Sequence, residues 1–126
     1  MKILVVDDEQ DIQPLFQQRF RKEIRNGELS FEFAYSGEDA LKYLNGHKHE
    51  AILILSDINM PGMSGLELLE RIKQKFEEPP PFVMMITAYG DKENYAKAME
   101  LGADEFITKP VDFSALKEKI KTIYHG

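Results

Sequence analysis

Cysteine is absent from the 126 residues. That excludes disulfides, thiolate metal sites and a cysteine nucleophile, and it accords with a reducing, cytoplasmic setting. Long apolar runs are missing too. Met1-Lys2 is followed by four apolar residues and then by Asp7-Asp8-Glu9, too brief and too acidic for a signal peptide or a membrane span. The third absence is basic excess: 16 Lys and Arg stand against 22 Asp and Glu, a formal charge of −6. No basic stripe stands out for a nucleic-acid backbone, so direct nucleic-acid binding is not expected. No internal repeat, linker or low-complexity tail interrupts the chain. Hydrophobic residues make up 43% of it, which suits a single domain over residues 1–126 with one core.

Apolar runs of strand length occur at Ile3 to Val6, Ala51 to Leu55 and Phe82 to Ile86. Continuous runs of this kind fit central strands covered on both faces. Phe31-Glu32-Phe33-Ala34-Tyr35 alternates, and Glu105 to Thr108 is short; both read as edge strands. Between the runs lie helical patterns. Ile12, Leu15, Phe16, Phe20 and Ile24 share one face, with Pro14 tolerated in the first turn. Leu66, Leu69, Ile72 and Phe76 repeat the pattern, ended by Pro79-Pro80-Pro81, and so do Phe113, Leu116, Ile120 and Ile123. Weaker versions fall near 38–45 and 92–100. Strand and helix thus alternate five times, which predicts an α/β fold: a doubly wound sheet of five parallel strands with five helices on its two faces. Ligands of such sheets sit at the carboxyl ends of the strands, so the residues just past each run are where chemistry is sought.

Asp7, Asp8 and Glu9 follow the first strand and Asp57 follows the third. A lone acid after a strand is most simply a helix cap, and Asp8 is placed to cap a helix starting near Gln10. Carboxylates from two adjacent central strands differ, because they repel one another unless a cation or a proton intervenes. Hard oxygen ligands with room for water and a phosphate oxygen favour Mg²⁺. The fourth strand ends at Thr87-Ala88 and the fifth at Lys109-Pro110. Singly, each is an ordinary surface residue; together they bring a hydroxyl and an ammonium to the same edge, where a phosphoryl group could be held.

The motifs Ile3-Leu4-Val5-Val6-Asp7-Asp8-Glu9, Asp57-Ile58-Asn59-Met60-Pro61-Gly62-Met63-Ser64-Gly65, Thr87-Ala88 and Lys109-Pro110 fall in order on successive strand ends. In them the sequence resembles the receiver domains of two-component response regulators, and it is similar to single-domain chemotaxis-type regulators. The likeness spans nearly the whole chain. It implies a flavodoxin-like strand order 2-1-3-4-5 and a cis Lys109-Pro110 bond. It also implies that Asp57 is the phospho-acceptor, that Mg²⁺ is held by Asp8 and Asp57 directly, by Asp7 through water and by the Asn59 backbone carbonyl, and that Thr87 and Lys109 contact the phosphoryl group. Thr87 and Phe106 would be the switch pair. The helix of Asp91 to Leu101, the strand of Phe106 and the helix of Phe113 to Tyr124 would form the output face. Asn59 and Tyr89 would border the phosphoryl group and set its lifetime. The implied partners are a sensor histidine kinase or phosphotransfer protein, a downstream target or attached output domain, and a second copy in a phosphorylation-dependent dimer.

The chain ends just past the last predicted helix, as a stand-alone regulator would, and an excised N-terminal receiver would look the same. Gly62-Met63-Ser64-Gly65 lacks the Lys-Ser or Lys-Thr of a nucleotide-binding loop, so the donor is expected to be a phosphoprotein or small phosphodonor. A rival reading is a Mg²⁺-dependent phosphohydrolase, but Asn59, two residues past Asp57, cannot act as the acid/base a turnover enzyme would want there. A third, an unphosphorylated interaction module, leaves the complete residue set without a use. His47 and His49 read as solvated side chains, not metal ligands. Met84 and Met85 read as core, and Met60 and Met63 as loop residues open to a partner.

Overall fold

A computed structural model describes residues 1–47, 50, 52–76, 81–88 and 90–125, the side chains of the last two excepted. The elements run β1 (Lys2–Val6), α1 (Ile12–Arg19), α2 (Arg21–Arg25), β2 (Ser30–Ala34), α3 (Gly37–Asn45), β3 (Ile52–Asp57), α4 (Gly65–Lys75), β4 (Phe82–Thr87), α5 (Lys92–Glu100), β5 (Glu105–Thr108) and α6 (Phe113–His125). All five strands pair in parallel in the order β2-β1-β3-β4-β5. The predicted fold class and order are therefore the observed ones. The continuous apolar runs lie in the middle, and the alternating and short strands lie at the edges.

One helix more is present than the periodicity predicts. The first apolar stripe is broken at Phe20, whose backbone (φ −108°, ψ 20°) leaves the helical region. The i to i−4 hydrogen bonds persist on both sides, Phe20 N–H to the Phe16 carbonyl and Ile24 N–H to that of Phe20, each 2.9 Å. The break is thus a kink, and it leaves Phe20 fully buried against Phe31, with ring centroids 5.0 Å apart. A stripe spaced by four residues gives no sign of it.

The two faces of the sheet are packed differently. Ile3, Val5, Leu53, Leu55, Met84 and Ile86 meet Phe16 and Phe20 of α1 and its kink and Leu116 and Ile120 of α6. On the other face Leu4, Val6, Ile54, Val83 and Met85 meet Ala40 and Leu44 of α3, Leu68, Leu69 and Ile72 of α4 and Ala98 of α5. Burying each such aliphatic side chain contributes about 1.5–3 kcal/mol. Met84 and Met85 are core, as expected. Met60 and Met63 are not partner-facing: each is only 8% exposed and packs into the second cluster, because the loop after β3 folds back over α3. Leu15, placed by periodicity on the buried stripe, is 37% exposed.

Candidate functional site

Four polar side chains are buried among the described residues, Asp7, Ser56, Asp57 and Thr87, and all four lie at the carboxyl ends of β1, β3 and β4. Parallel register brings them together: Val6 pairs with Ser56, and Asp57 with Ile86. Asp7, Asp8 and Asp57 each offer an oxygen within 4.8 Å of the others. Asp8 is exposed and does not cap the first helix, which starts only at Ile12 with Asp11 in the cap position and no side-chain cap bond.

Asp57 is held from two sides. Its Oδ1 accepts the Asn59 backbone N–H at 3.1 Å, and its Oδ2 accepts from Lys109 Nζ at 2.6 Å. Lys109 is pulled both ways: partial burial disfavours its charge, but the hydrogen bond and charge of Asp57, with Asp7 and Glu9 behind it, win and raise its pKa. Asp7 is pushed above the ordinary carboxylate range by burial first, then by the Asp57 charge, although the Glu9 N–H on its Oδ1 at 3.0 Å and Lys109 oppose this. Two carboxylates and one ammonium leave local negative charge uncompensated, and the donors are all hard oxygens. That set fits a small divalent cation such as Mg²⁺.

The peptide bond between Lys109 and Pro110 is cis, and the Lys109 N–H is bound to the Thr87 carbonyl at 2.8 Å, tying the ends of β4 and β5. Thr87 is 2% exposed. It lines a hollow of about 180 Å³ with Ala88, Gly90, Asp91, Lys92, Tyr95 and Thr108. Phe106 is half-buried and packs on the Tyr95 ring, centroids 4.3 Å apart. Among the described residues the aromatic lining that hollow is Tyr95, with Phe106 in contact with it; sequence reasoning singled out only Phe106. Asn59 is exposed beside Asp57. Tyr89 and His49 lie outside the described residues, as do Ala51, Pro79 and Pro80. His47 is remote from the site, stacked on Tyr43 with its Nδ1 2.7 Å from the Tyr43 carbonyl oxygen.

Gly65 escaped the sequence reading. It opens α4, where Ser64 caps by accepting the Glu67 N–H at 3.2 Å, and its own N–H donates to the Ile58 carbonyl at 2.7 Å. A Cβ there would lie 2.1 Å from the Asp57 carbonyl oxygen and 2.6 Å from Ile58 Cα. The helix start is pressed against the backbone that carries Asp57, and only a residue without a side chain permits it. The available signal was Ser64-Gly65-Leu66-Glu67, a capping-box pattern with glycine at the first helical position.

A doubly wound sheet with an acidic cluster, a buried hydroxyl and an ammonium on its carboxyl edge has the groups that could hold a cation and a phosphoryl group. The sequence profile of the response regulator receiver domain matches residues 3–121, and the chain belongs to that family. It is a receiver domain of two-component signalling, a family of phospho-acceptor switches and not of turnover enzymes generally. Among solved structures it is similar to the receiver domain of NtrX from Brucella abortus (31% identity, TM-score 0.80, 98% of each chain covered). It is also similar to a response regulator receiver domain protein from Clostridium thermocellum (28% identity, TM-score 0.83, 98% of this chain and 94% of that one). The chemotaxis protein CheY4 of Vibrio cholerae shares the fold, at 23% identity and a TM-score of 0.79 over 96% of each chain. No helix among the described residues is long and apolar enough to cross a membrane.

Proposed function

We infer that this domain is switched by transfer of a phosphoryl group to Asp57 from a histidine kinase, a phosphotransfer protein or a small phosphodonor. The observation that carries the reading is the buried Asp57 carboxylate, fixed by the Asn59 N–H and by Lys109 and joined by Asp7 and Asp8. Asp7, Asp8, Asp57 and the Asn59 carbonyl would hold Mg²⁺, which supplies positive charge for the phosphate oxygens. The carboxylate of Asp57 attacks phosphorus in line; an O–P bond forms as the bond to the leaving group breaks, and the electron pair departs with that group. Lys109, already against Oδ2, turns to the incoming phosphoryl oxygens, and Thr87 donates its hydroxyl to another.

Drawing Thr87 toward the phosphoryl group would change the hollow between Thr87 and Thr108. Phe106, moving with Tyr95, would then respond on the α5, β5 and α6 face, which we assign as the output surface for a downstream target, an attached output domain or a second copy. Residues 1–126 act as one domain in the cytoplasm, standing alone or as part of a larger regulator. Loss of the phosphoryl group needs a water behind phosphorus. Asn59 can bind that water but cannot take its proton, and Tyr89 would shield it. Faster loss in both Tyr89→Ala and Tyr89→Glu is therefore expected; unchanged loss in Tyr89→Ala would remove the shielding role. The reading as a whole is tested by intact mass after incubation with acetyl phosphate. A gain of one phosphoryl group that requires Mg²⁺ and is abolished by chelation is expected, and no gain under either condition would overturn it.

A further inference from the structure

The end of the molecule remote from the acidic cluster carries the opposite charge. Arg19 closes α1, Arg21, Lys22 and Arg25 belong to α2, and Lys117 and Lys121 come from α6. With Gln18, Glu23 and Asn26 they line one open cavity of about 660 Å³. Its single acid, Glu23, sits 3.4 Å from Lys117, and Lys121 is 3.9 Å from Glu118. The lining carries +5 in a chain of net −6, which leaves −11 for everything else. Arg21, Lys22 and Arg25 are exposed, and none forms an ion pair among the described residues. Arg21 and Arg25, like Lys117 and Lys121, are like charges one helical turn apart, an arrangement that opposes helix stability. Arg19 and Lys117 have partners in the fold, the Phe113 ring and Glu23, but no ion pair among the described residues accounts for bringing Arg21, Lys22 and Arg25 to the same surface.

Beside this cavity lies a second of about 300 Å³, lined by Phe20, Leu29, Ile120 and Glu28 and sharing Glu23, Lys117 and Lys121 with the first. The hollow itself is bordered by Glu23, Glu28 and the ion-paired Lys117 and Lys121, but it adjoins the unpaired Arg21, Lys22 and Arg25 of the first cavity, and the two together fit a ligand with several carboxylates and one apolar side chain. We propose that this end of the domain docks an acidic peptide segment of a partner protein, its carboxylates on Arg21, Lys22, Arg25 and Lys121 and an aliphatic side chain between Leu29 and Ile120. A nucleic acid fits less well. The −11 over the rest of the surface repels a polyanion that runs past the patch, and Phe20 is fully buried with Lys117 over its ring at 5.4 Å, so it offers no face on which a base could stack. The surface lies at the opposite edge of the sheet from Asp57, so docking leaves the phosphoryl site open.

The test is a titration of the ¹⁵N-labelled chain with a synthetic peptide of glutamates flanking one leucine. Amide shifts confined to residues 18–29 and 117–121 are expected. Affinity should fall about tenfold or more in Arg21→Glu/Arg25→Glu, at about 0.5 M salt, and when the peptide leucine is replaced by serine. The melting temperature of the double variant reports its folding, and Lys121→Glu on the other helix gives an independent loss. Absent or scattered shifts, binding that survives both charge reversals, or displacement of the peptide by less than an equal charge of oligothymidylate would overturn the proposal.

Discussion

The carboxyl and amino edges of the sheet treat polar groups in opposite ways. At the carboxyl edge Asp7, Ser56, Asp57 and Thr87 are buried; at the amino edge the buried side chains are apolar, Phe20, Leu29, Ile52 and Ile120, and Arg21, Lys22 and Arg25 of α2 stay in water, while Glu23 is largely covered, one of its carboxylate oxygens buried without a hydrogen-bond partner among the described residues. Burying a polar group costs free energy unless it is hydrogen-bonded or paired. The site edge therefore holds a standing cost spread over four side chains and offset locally by Lys109 and by backbone N–H donors, whereas at the other edge it falls on Glu23, offset by Lys117. The same fold concentrates its buried polar groups where chemistry is expected and keeps most of the charge at the other end in water.

Two glycines separate the edges most sharply. Gly65→Ala would drive a methyl group into the Asp57 carbonyl, which is backbone and cannot yield. A loss of about 3 kcal/mol or more is expected, lowering the melting temperature by ~10 °C or more. Gly27→Ala, at φ +74° with no atom within 4 Å, should cost only about 1 kcal/mol, the conformational term alone. Equal losses on thermal unfolding would mean that the close approach at α4 is not as tight as described.

Removing Lys109 probes the offset directly. Lys109→Ala leaves Asp57 buried without its cation and should destabilise the metal-free domain by about 1 kcal/mol, a modest figure because the Lys109 side chain is 42% exposed. Its pKa is raised in the folded state, so its contribution is complete through neutral pH and fades only as pH climbs through that raised value. Urea unfolding of both proteins at neutral and strongly alkaline pH checks the sign. Asp57→Asn likewise leaves Lys109 unpaired, so relief of repulsion in that variant is partly cancelled.

Asp7 gives the smallest effect. Its folded-state pKa is raised, chiefly by burial, so the folded state disfavours its charge, and the penalty is present above that pKa and gone below the unfolded value. Asp7→Asn should therefore raise the melting temperature at neutral pH without metal by about 2–4 °C, and the advantage should vanish in acid. A gain that persists at low pH would assign the effect to something other than charge.

Much of this was legible in the sequence because it depends on local pattern. The apolar runs mark three central strands, and in a parallel sheet the residues just past each strand must share an edge, so Asp7, Asp57, Thr87 and, past the short fifth strand, Lys109 could be grouped before their distances were known. What escaped depends on tertiary approach. The Phe20 kink leaves the i+4 spacing intact, and Met60 and Met63 look like open loop residues until the loop folds over α3. Gly65 reads as a turn glycine, and the Tyr95 contact with Phe106 joins two elements that no spacing relates. The basic end was hidden by the acidic total, since Arg21, Lys22 and Arg25 meet Lys117 and Lys121 only when α2 and α6 pack side by side.

The central claim, that the buried carboxylate at the end of β3 is the phospho-acceptor, is tested most directly by comparing wild type with Asp57→Asn. Both proteins are incubated with acetyl phosphate and Mg²⁺, weighed intact, and, after borohydride reduction, mapped by peptide mass. The account predicts one phosphoryl group on the wild type, trapped at Asp57, and none on the variant. Full labelling of Asp57→Asn, or reduction mapped to Asp7 or Asp8, would contradict it.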